Sequence, residues 1–179
     1  MISTKWYCGA FRSFGSASII ERPAILVGAQ HIQIGAGVII WRGARIEAFG
    51  RPGEVAITIG NGTVIQPGAH IGAVNEVRIG NECLFASGIY VTDHDHDLTN
   101  PELPPVSNSK VCAAPTVIED RVWLGERAMV LKGCRVGRSS VVGAGSIVTE
   151  SIPPFSIAAG APARVIKRWD PDAREWIRA

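Results

Sequence analysis

No stretch of this chain approaches the roughly 20 consecutive apolar residues that a membrane-spanning helix needs, so no membrane insertion is expected. A surplus of one charge sign is also missing. The 18 basic and 16 acidic residues among 179 leave a formal charge of +2, and without clustered Lys and Arg to track phosphates, nucleic acid is excluded as the main partner. Any anionic ligand must be met locally. Cysteine is scarce: Cys8, Cys83, Cys112 and Cys134 lack paired metal spacing, and a chain of this size has no need of a disulfide framework. Four reduced thiols in a cytoplasmic protein are expected. The opening stretch, Met1 to Gly15, carries Lys5 and Arg12 but no continuous apolar core or small-residue cleavage site, so no signal peptide is expected. What remains, 46% hydrophobic against 19% charged, suits one globular domain with a core of its own.

Helix formers are modest in number, while glycine reaches 20 and Ile and Val abound, which directs attention to internal periodicity. A period of six emerges. Large apolar residues recur at Phe14, Ile20, Leu26, at Ile34, Ile40, Ile46, at Ile59, Ile65, Ile71 and at Ile79, Phe85, Val91. Later in the chain the frame runs unbroken through Ile118, Leu124, Val130, Val136, Val142 and Val148. Helical faces repeat every 3.6 residues and strand faces every two, so neither alone gives six. A coil of three short strands joined by tight turns does, with one large residue per strand pointing at the axis. The fifth position of each hexad is usually small (Thr63, Ala69, Cys83, Ala128, Cys134, Ser140, Ser146), as a narrow corner requires. Glycines at the second or fourth positions, such as Gly35, Gly37, Gly60, Gly62, Gly80, Gly125, Gly143 and Gly145, suit sharp corners. Stacked coils bury a continuous apolar column that no single repeat could bury. The architecture expected is an all-β parallel β-helix.

Two breaks in the frame are expected to emerge as loops on one edge, where function is often carried. The shorter covers about Phe49 to Thr58. The longer runs from about Asp97 to Thr116 and holds Pro101, Pro104, Pro105 and Pro115, which cannot join a ladder and keep it extended. The domain layout read from this is an N-terminal segment over residues 1–13, a β-helix over 14–150 and a C-terminal extension over 151–179. Ile152-Pro153-Pro154 ends the coils, and Asp172 to Arg178 is predicted to form a short terminal helix.

The run Thr92-Asp93-His94-Asp95-His96-Asp97 precedes the long loop and holds two of the four histidines. Imidazole is the side chain suited to removing a proton near neutral pH, and flanking carboxylates can fix its tautomer. A divalent metal site is a competing reading. Alternation along one strand, however, would send the two histidines to one side and the aspartates to the other, and no Cys or further His pairs nearby. A solvated acidic turn is the third reading. His31 and His70 read as plain coil-surface residues.

The segment from Ile118 to Lys167 contains Val-Trp-Leu-Gly, Val-Val-Gly-Ala-Gly-Ser-Ile-Val-Thr, Ile-Pro-Pro and Ala-Gly-Ala-Pro-Ala-Arg-Val-Ile. It resembles the hexapeptide-repeat O-acetyltransferases, notably the galactoside, maltose and polysaccharide acetyltransferases, and the hexads extend the likeness back to about Phe14. The resemblance implies a left-handed β-helix, a homotrimer with active sites between subunits, and acetyl-CoA as donor. It implies His96 as the catalytic base, because an ungapped count from Ile79 puts it at the sixth position of the third hexad, where the galactoside enzymes carry theirs. His96-Asp97-Leu98 is also similar to the maltose enzymes' His-Pro-Leu. His94 stays as the other candidate.

For the donor, the resemblance implies Trp123 beside the pantetheine arm and a backbone amide of Gly125 or Glu126 for the oxyanion. Ala144 and Thr149 are implied as further contacts, with Arg164 and Lys167 at the nucleotide phosphates. Arg168 is an additional cation without a family match. Glu150 stands where the galactoside enzymes have lysine and Lys167 where they have arginine, so weak CoA binding is expected. Cys134 and Cys83, at small inward corners, are expected to be inert, leaving Cys112 as the one thiol in a loop.

The function expected is O-acetylation of a sugar hydroxyl of a surface polysaccharide or its precursor, with His as general base and direct attack on the thioester. Asn100, Glu102, Ser107, Asn108 and Ser109 of the loop offer hydrogen bonds to a sugar or glycan acceptor. Sugar N-acetylation and xenobiotic acetylation are alternatives within the fold. From another class comes a non-enzymatic or zinc-binding β-helix, which would need histidines at matching phases of adjacent coils. His31, His70, His94 and His96 do not supply them, and no metal or metal ligand is expected.

Overall fold

A computed structural model describes residues 8–23, 25–97, 99–108 and 110–179. Lys5, Leu98 and Ser109 lie outside the described residues, as does most of the N-terminal segment. The hexad frame folds into three flat faces of parallel strands around one axis, a left-handed parallel β-helix. The first face stacks Ser13–Phe14, Ile32–Ile34, Ile57–Ile59, Val77–Ile79, Thr116–Ile118 and Arg135–Val136. The second stacks Ile19–Ile20, Ile39–Ile40, Val64–Ile65, Leu84–Phe85, Trp123–Leu124 and Val141–Val142, continued by Ser156–Gly160. The third stacks Ile25–Val27, Arg45–Ala48, His70–Ala73, Tyr90–Thr92, Met129–Val130 and Ile147–Val148.

Register places like on like. Phe14, Ile34, Ile59, Ile79, Ile118 and Val136 pair in turn along the first face. Ile20, Ile40, Ile65, Phe85, Leu124 and Val142 do so along the second. Leu26, Ile46, Ile71, Val91, Val130 and Val148 form the third column. Nearly all are buried, and each such Val, Leu, Ile or Phe contributes roughly 1.5–3 kcal/mol relative to an exposed position. At the N-terminal end the Phe11 ring lies 5.3 Å from that of Phe14 and covers the first coil. At the other end Ile152 bridges Val136 and Ala158 pairs with Val142, so the columns continue past the double proline.

The corners explain the small residues and the glycines. Between the first and second faces, the Ser18 hydroxyl donates to Gly35 O at 2.7 Å and accepts from Val38 N–H. Thr63 repeats the pattern with Gly80 O at 2.8 Å and Cys83 N–H, as does Ser140 with Pro153 O and Ser156 N–H. Gly60 is needed for a different reason: a Cβ there would sit 2.5 Å from the Gly80 carbonyl carbon of the next coil. Gly62, two residues on, has φ +65°.

The C-terminal extension departs from the expected short helix. Ala163–Asp170 pairs antiparallel with Ser156–Gly160, and Glu175–Arg178 pairs antiparallel with Ala163–Asp170. Asp170 Oδ1 accepts from the N–H groups of Asp172 and Ala173, and Arg174 has φ +54°, so the chain reverses where a helix would have to start. The seven predicted residues are too few to sustain an isolated helix. As a strand they gain a ladder and a cross-strand pair, Trp169 against Trp176, with ring centroids 5.5 Å apart.

Candidate active site

Both breaks in the frame leave the prism after the third face. The shorter is pinned from beneath by His31, whose Nδ1–H donates to Glu54 O at 2.9 Å; this histidine is buried structure. The longer begins earlier than the six-residue count implies. After Thr92 the chain leaves the coil, and His94–His96 pairs antiparallel with Val111–Ala113, setting His94 opposite Ala113, Asp95 opposite Cys112 and His96 opposite Val111. The coil resumes at Thr116. No hexad therefore contains His96, and the phase argument that selected it has no counterpart in the folded chain.

Asp93 makes the exit. Its side chain is wholly buried, and its carboxylate accepts from Val74 N–H at 3.0 Å, Asn75 N–H at 2.6 Å and Glu76 N–H at 2.6 Å. The same group lies 2.9 Å from His94 Nδ1. A carboxylate oxygen there accepts a hydrogen bond from Nδ1–H, which leaves the lone pair on Nε2. His94 is mostly enclosed, with 23% of its side chain exposed, whereas His96 is exposed.

The hairpin roofs a cavity of about 830 Å³ whose wall is the outer surface of the third face. His94, Asp95, His96 and Asp97 all border it. From the face beneath come Arg45, His70 and Tyr90, in register on successive coils, and beside them Glu47, Gly72 and Thr92. His70, read from the sequence as a plain surface residue, has Nε2 3.3 Å from Glu47 Oε2 and its ring edge-on to Tyr90 at 5.0 Å. Burial, with the Arg45 charge behind it, holds the His70 imidazole below its ordinary range. A hydrogen bond from Arg45 holds Glu47 below the usual carboxylate range. Lys132 closes the edge, its Nζ 3.2 Å from Asp95. The sequence offered one signal for these residues: Arg45, His70 and Tyr90 share the sixth hexad position, which faces outward.

The expected donor-site residues form a second group. Trp123 is half-exposed on the second face, between Leu84 and Val141, and does not border the histidine cavity. Gly125, Glu126 and Ala144 meet at the following corner, where a Cβ on Gly125 would lie 2.6 Å from Ala144 N. Gly125 N–H is already spent on Val142 O at 2.8 Å, while Glu126 N–H has no hydrogen-bond partner among the described residues. Thr149 and Glu150 are exposed at the next corner, and Arg164 reaches back to Glu150 at 3.4 Å. Lys167 and Arg168 stand exposed on the C-terminal hairpin.

Of the thiols, Cys83 and Cys134 are buried and burial pushes both up, with Cys83 Sγ–H donating to Glu119 O at 3.1 Å. Cys112 is exposed and borders the histidine cavity. Among the described residues no three His, Cys, Asp or Glu side chains are grouped to hold a metal ion, and no helix is long and apolar enough to cross a membrane.

Comparison with known proteins follows the same lines. Residues 115–150 match the family model described as bacterial transferase hexapeptide (six repeats). The chain is 33% identical over 173 residues to WbbJ of Escherichia coli (strain K12), named as a lipopolysaccharide biosynthesis O-acetyl transferase, covering 93% of this chain and 86% of that one. It is 38% identical over 91 residues to galactoside O-acetyltransferase of the same strain, covering 51% of this chain and 43% of the relative. A crystal structure of a mutant of AntD, an N-acyltransferase from Bacillus cereus, in complex with dTDP and coenzyme A superimposes with TM-score 0.75 over 94% of this chain and 90% of that one. Its identity of 22% makes that a likeness of fold. With the coils, the cavity and the extent of the WbbJ match together, the chain belongs to the hexapeptide-repeat acetyltransferases.

Proposed function

We propose that this acetyltransferase carries an acetyl group from acetyl-CoA to a sugar hydroxyl of a surface polysaccharide or its precursor. The names of WbbJ and galactoside O-acetyltransferase support the acceptor class, and the CoA in the AntD complex supports the donor. The observation that carries the reading is the Asp93–His94 pair: a buried carboxylate, itself held by three backbone N–H groups, aims one imidazole at a cavity with its Nε2 lone pair outward. That geometry favours His94 over His96 as the base.

In the reaction Nε2 of His94 takes the hydroxyl proton as the oxygen adds to the thioester carbonyl. The tetrahedral oxyanion is held by the Glu126 N–H, a type of contact that contributes about 3 kcal/mol to a transition state. Collapse expels the CoA thiolate, and the imidazolium returns the proton to it. Trp123, Gly125 and Ala144 flank the pantetheine arm, with Thr149, Arg164 and Lys167 toward the nucleotide. Because Trp123 lies on the second face and His94 at the third, the complete site joins two prisms of a homotrimer. Glu150 lies 3.4 Å from Arg164, so its carboxylate competes with a CoA phosphate for that guanidinium and CoA binds less tightly for it.

His94→Ala is expected to lower turnover at least ~100-fold with CoA affinity unchanged by titration calorimetry, while His96→Ala keeps most of the activity. Acetylation of glycan precursors followed by mass spectrometry measures both. Loss in His96→Ala with near-normal turnover in His94→Ala would reverse the assignment.

A further inference from the structure

Beside the proposed base, the cavity holds a second imidazole with a carboxylate of its own. Nε2 of His70 faces Glu47, and Tyr90 packs against the ring. Gly72 separates it from His94: a Cβ on Gly72 would lie 3.6 Å from His70 Nε2 and 3.6 Å from His94 Cε1. The two rings thus flank a small floor that any larger residue would raise. Charge on the cavity wall is already paired. Arg45 binds Glu47, Lys132 faces Asp95, and Asp97 adds a further carboxylate, itself bonded to Thr99 N–H. Among the described lining residues no cation is left over for an anionic guest.

We propose that the Glu47–His70 pair holds a second hydroxyl of the acceptor, next to the one that reacts at His94, and that the group seated over Gly72 is an uncharged polyhydroxylated ring. This rests on the acetyl-transfer reading and adds to it the charge of the acceptor and the side chain that orients it. The His70 nitrogen nearest the Gly72 floor is Nε2, 3.3 Å from Glu47 Oε2, so a hydroxyl seated there meets an imidazole nitrogen and a carboxylate oxygen together. Burial and Arg45 oppose protonation, which keeps the ring able to accept a hydroxyl proton in a hydrogen bond. His70 is a substrate-positioning residue and takes no proton from the reacting oxygen.

The test compares acetyl transfer to two neutral probes, methyl β-galactopyranoside and N-acetylglucosamine, with transfer to two whose ring itself bears a carboxylate, glucuronic acid and galacturonic acid. Neutral probes are expected to lead by about tenfold in kcat/KM. His70→Ala should raise the KM for the neutral probe about tenfold, a larger factor than its effect on kcat. His70→Gln, which keeps a hydrogen-bonding edge, should recover much of the loss. Gly72→Ala, where the added methyl meets its neighbours at ordinary contact distance, should raise the same KM by an independent route. Preference for the anionic probes, or a His70→Ala effect on kcat alone that His70→Gln does not relieve, overturns the assignment while leaving acetyl transfer in place. Transfer to none of the four overturns the acetyl-transfer reading and this assignment with it.

Discussion

Two corners of the prism solve the same problem differently. Between the first and second faces, six successive coils turn without interruption, and the hydroxyls of Ser18, Thr63 and Ser140 tie one coil to the next. After the third face the chain opens twice into longer segments, and there a single buried carboxylate, Asp93, gathers the N–H groups of Val74, Asn75 and Glu76. The first corner distributes its polar contacts over many replaceable residues. The second concentrates them in one, and that one also touches His94. Repetition stabilises without being specific; the break in repetition makes one residue serve both the fold and the proposed chemistry.

Three substitutions or conditions sharpen this contrast. Asp93→Ala should have the largest effect: it strips three N–H groups of their acceptor, costing about 3 kcal/mol or more, and frees the His94 ring, so turnover falls at least ~100-fold. Thermal unfolding and steady-state kinetics must move together; a large loss of stability with normal turnover would separate the two roles. Thr63→Val removes one hydroxyl that donates to Gly80 O and accepts from Cys83 N–H. It should cost about 1 kcal/mol in the same melt and leave turnover alone. The smallest expected effect is that of pH on the third face. Since burial holds folded His70 below its unfolded value, near 6.5, its contribution to stability is fully present above that value and fades as pH falls through the folded one. His70→Gln should flatten that part of the profile, and an unchanged slope would show that the titrating group lies elsewhere.

The repeating part of the molecule was legible because every large first-position residue from Phe14 to Val148 has one destination, the axis. The sequence also held a sign that the frame ends at Thr92, although the six-residue count runs on. Continuing it puts Asp95 at the fifth position and Asp97 at the first, where a charge would point into the apolar column. That conflict locates the hairpin, and with it the reason His94 is the anchored histidine. His70 was hidden for another reason. An outward sixth-position residue looks the same whether solvent or a loop lies above it, and the loop arrives from more than 20 residues further along. The C-terminal hairpin depended on Trp169 meeting Trp176, a pairing set by the turn at Asp170 and invisible in a helical count.

That hairpin also bears on how a stack of this kind comes to an end. Parallel coils present bare backbone groups at their last turn, a template onto which another chain can add indefinitely. By folding Ala163–Asp170 back against Ser156–Gly160, and Glu175–Arg178 in turn against Ala163–Asp170, each in the opposite direction, the protein lays strands of the wrong polarity over that edge. The second face is thereby given a fixed length, and the solenoid finishes as a bounded object instead of the seed of a fibre.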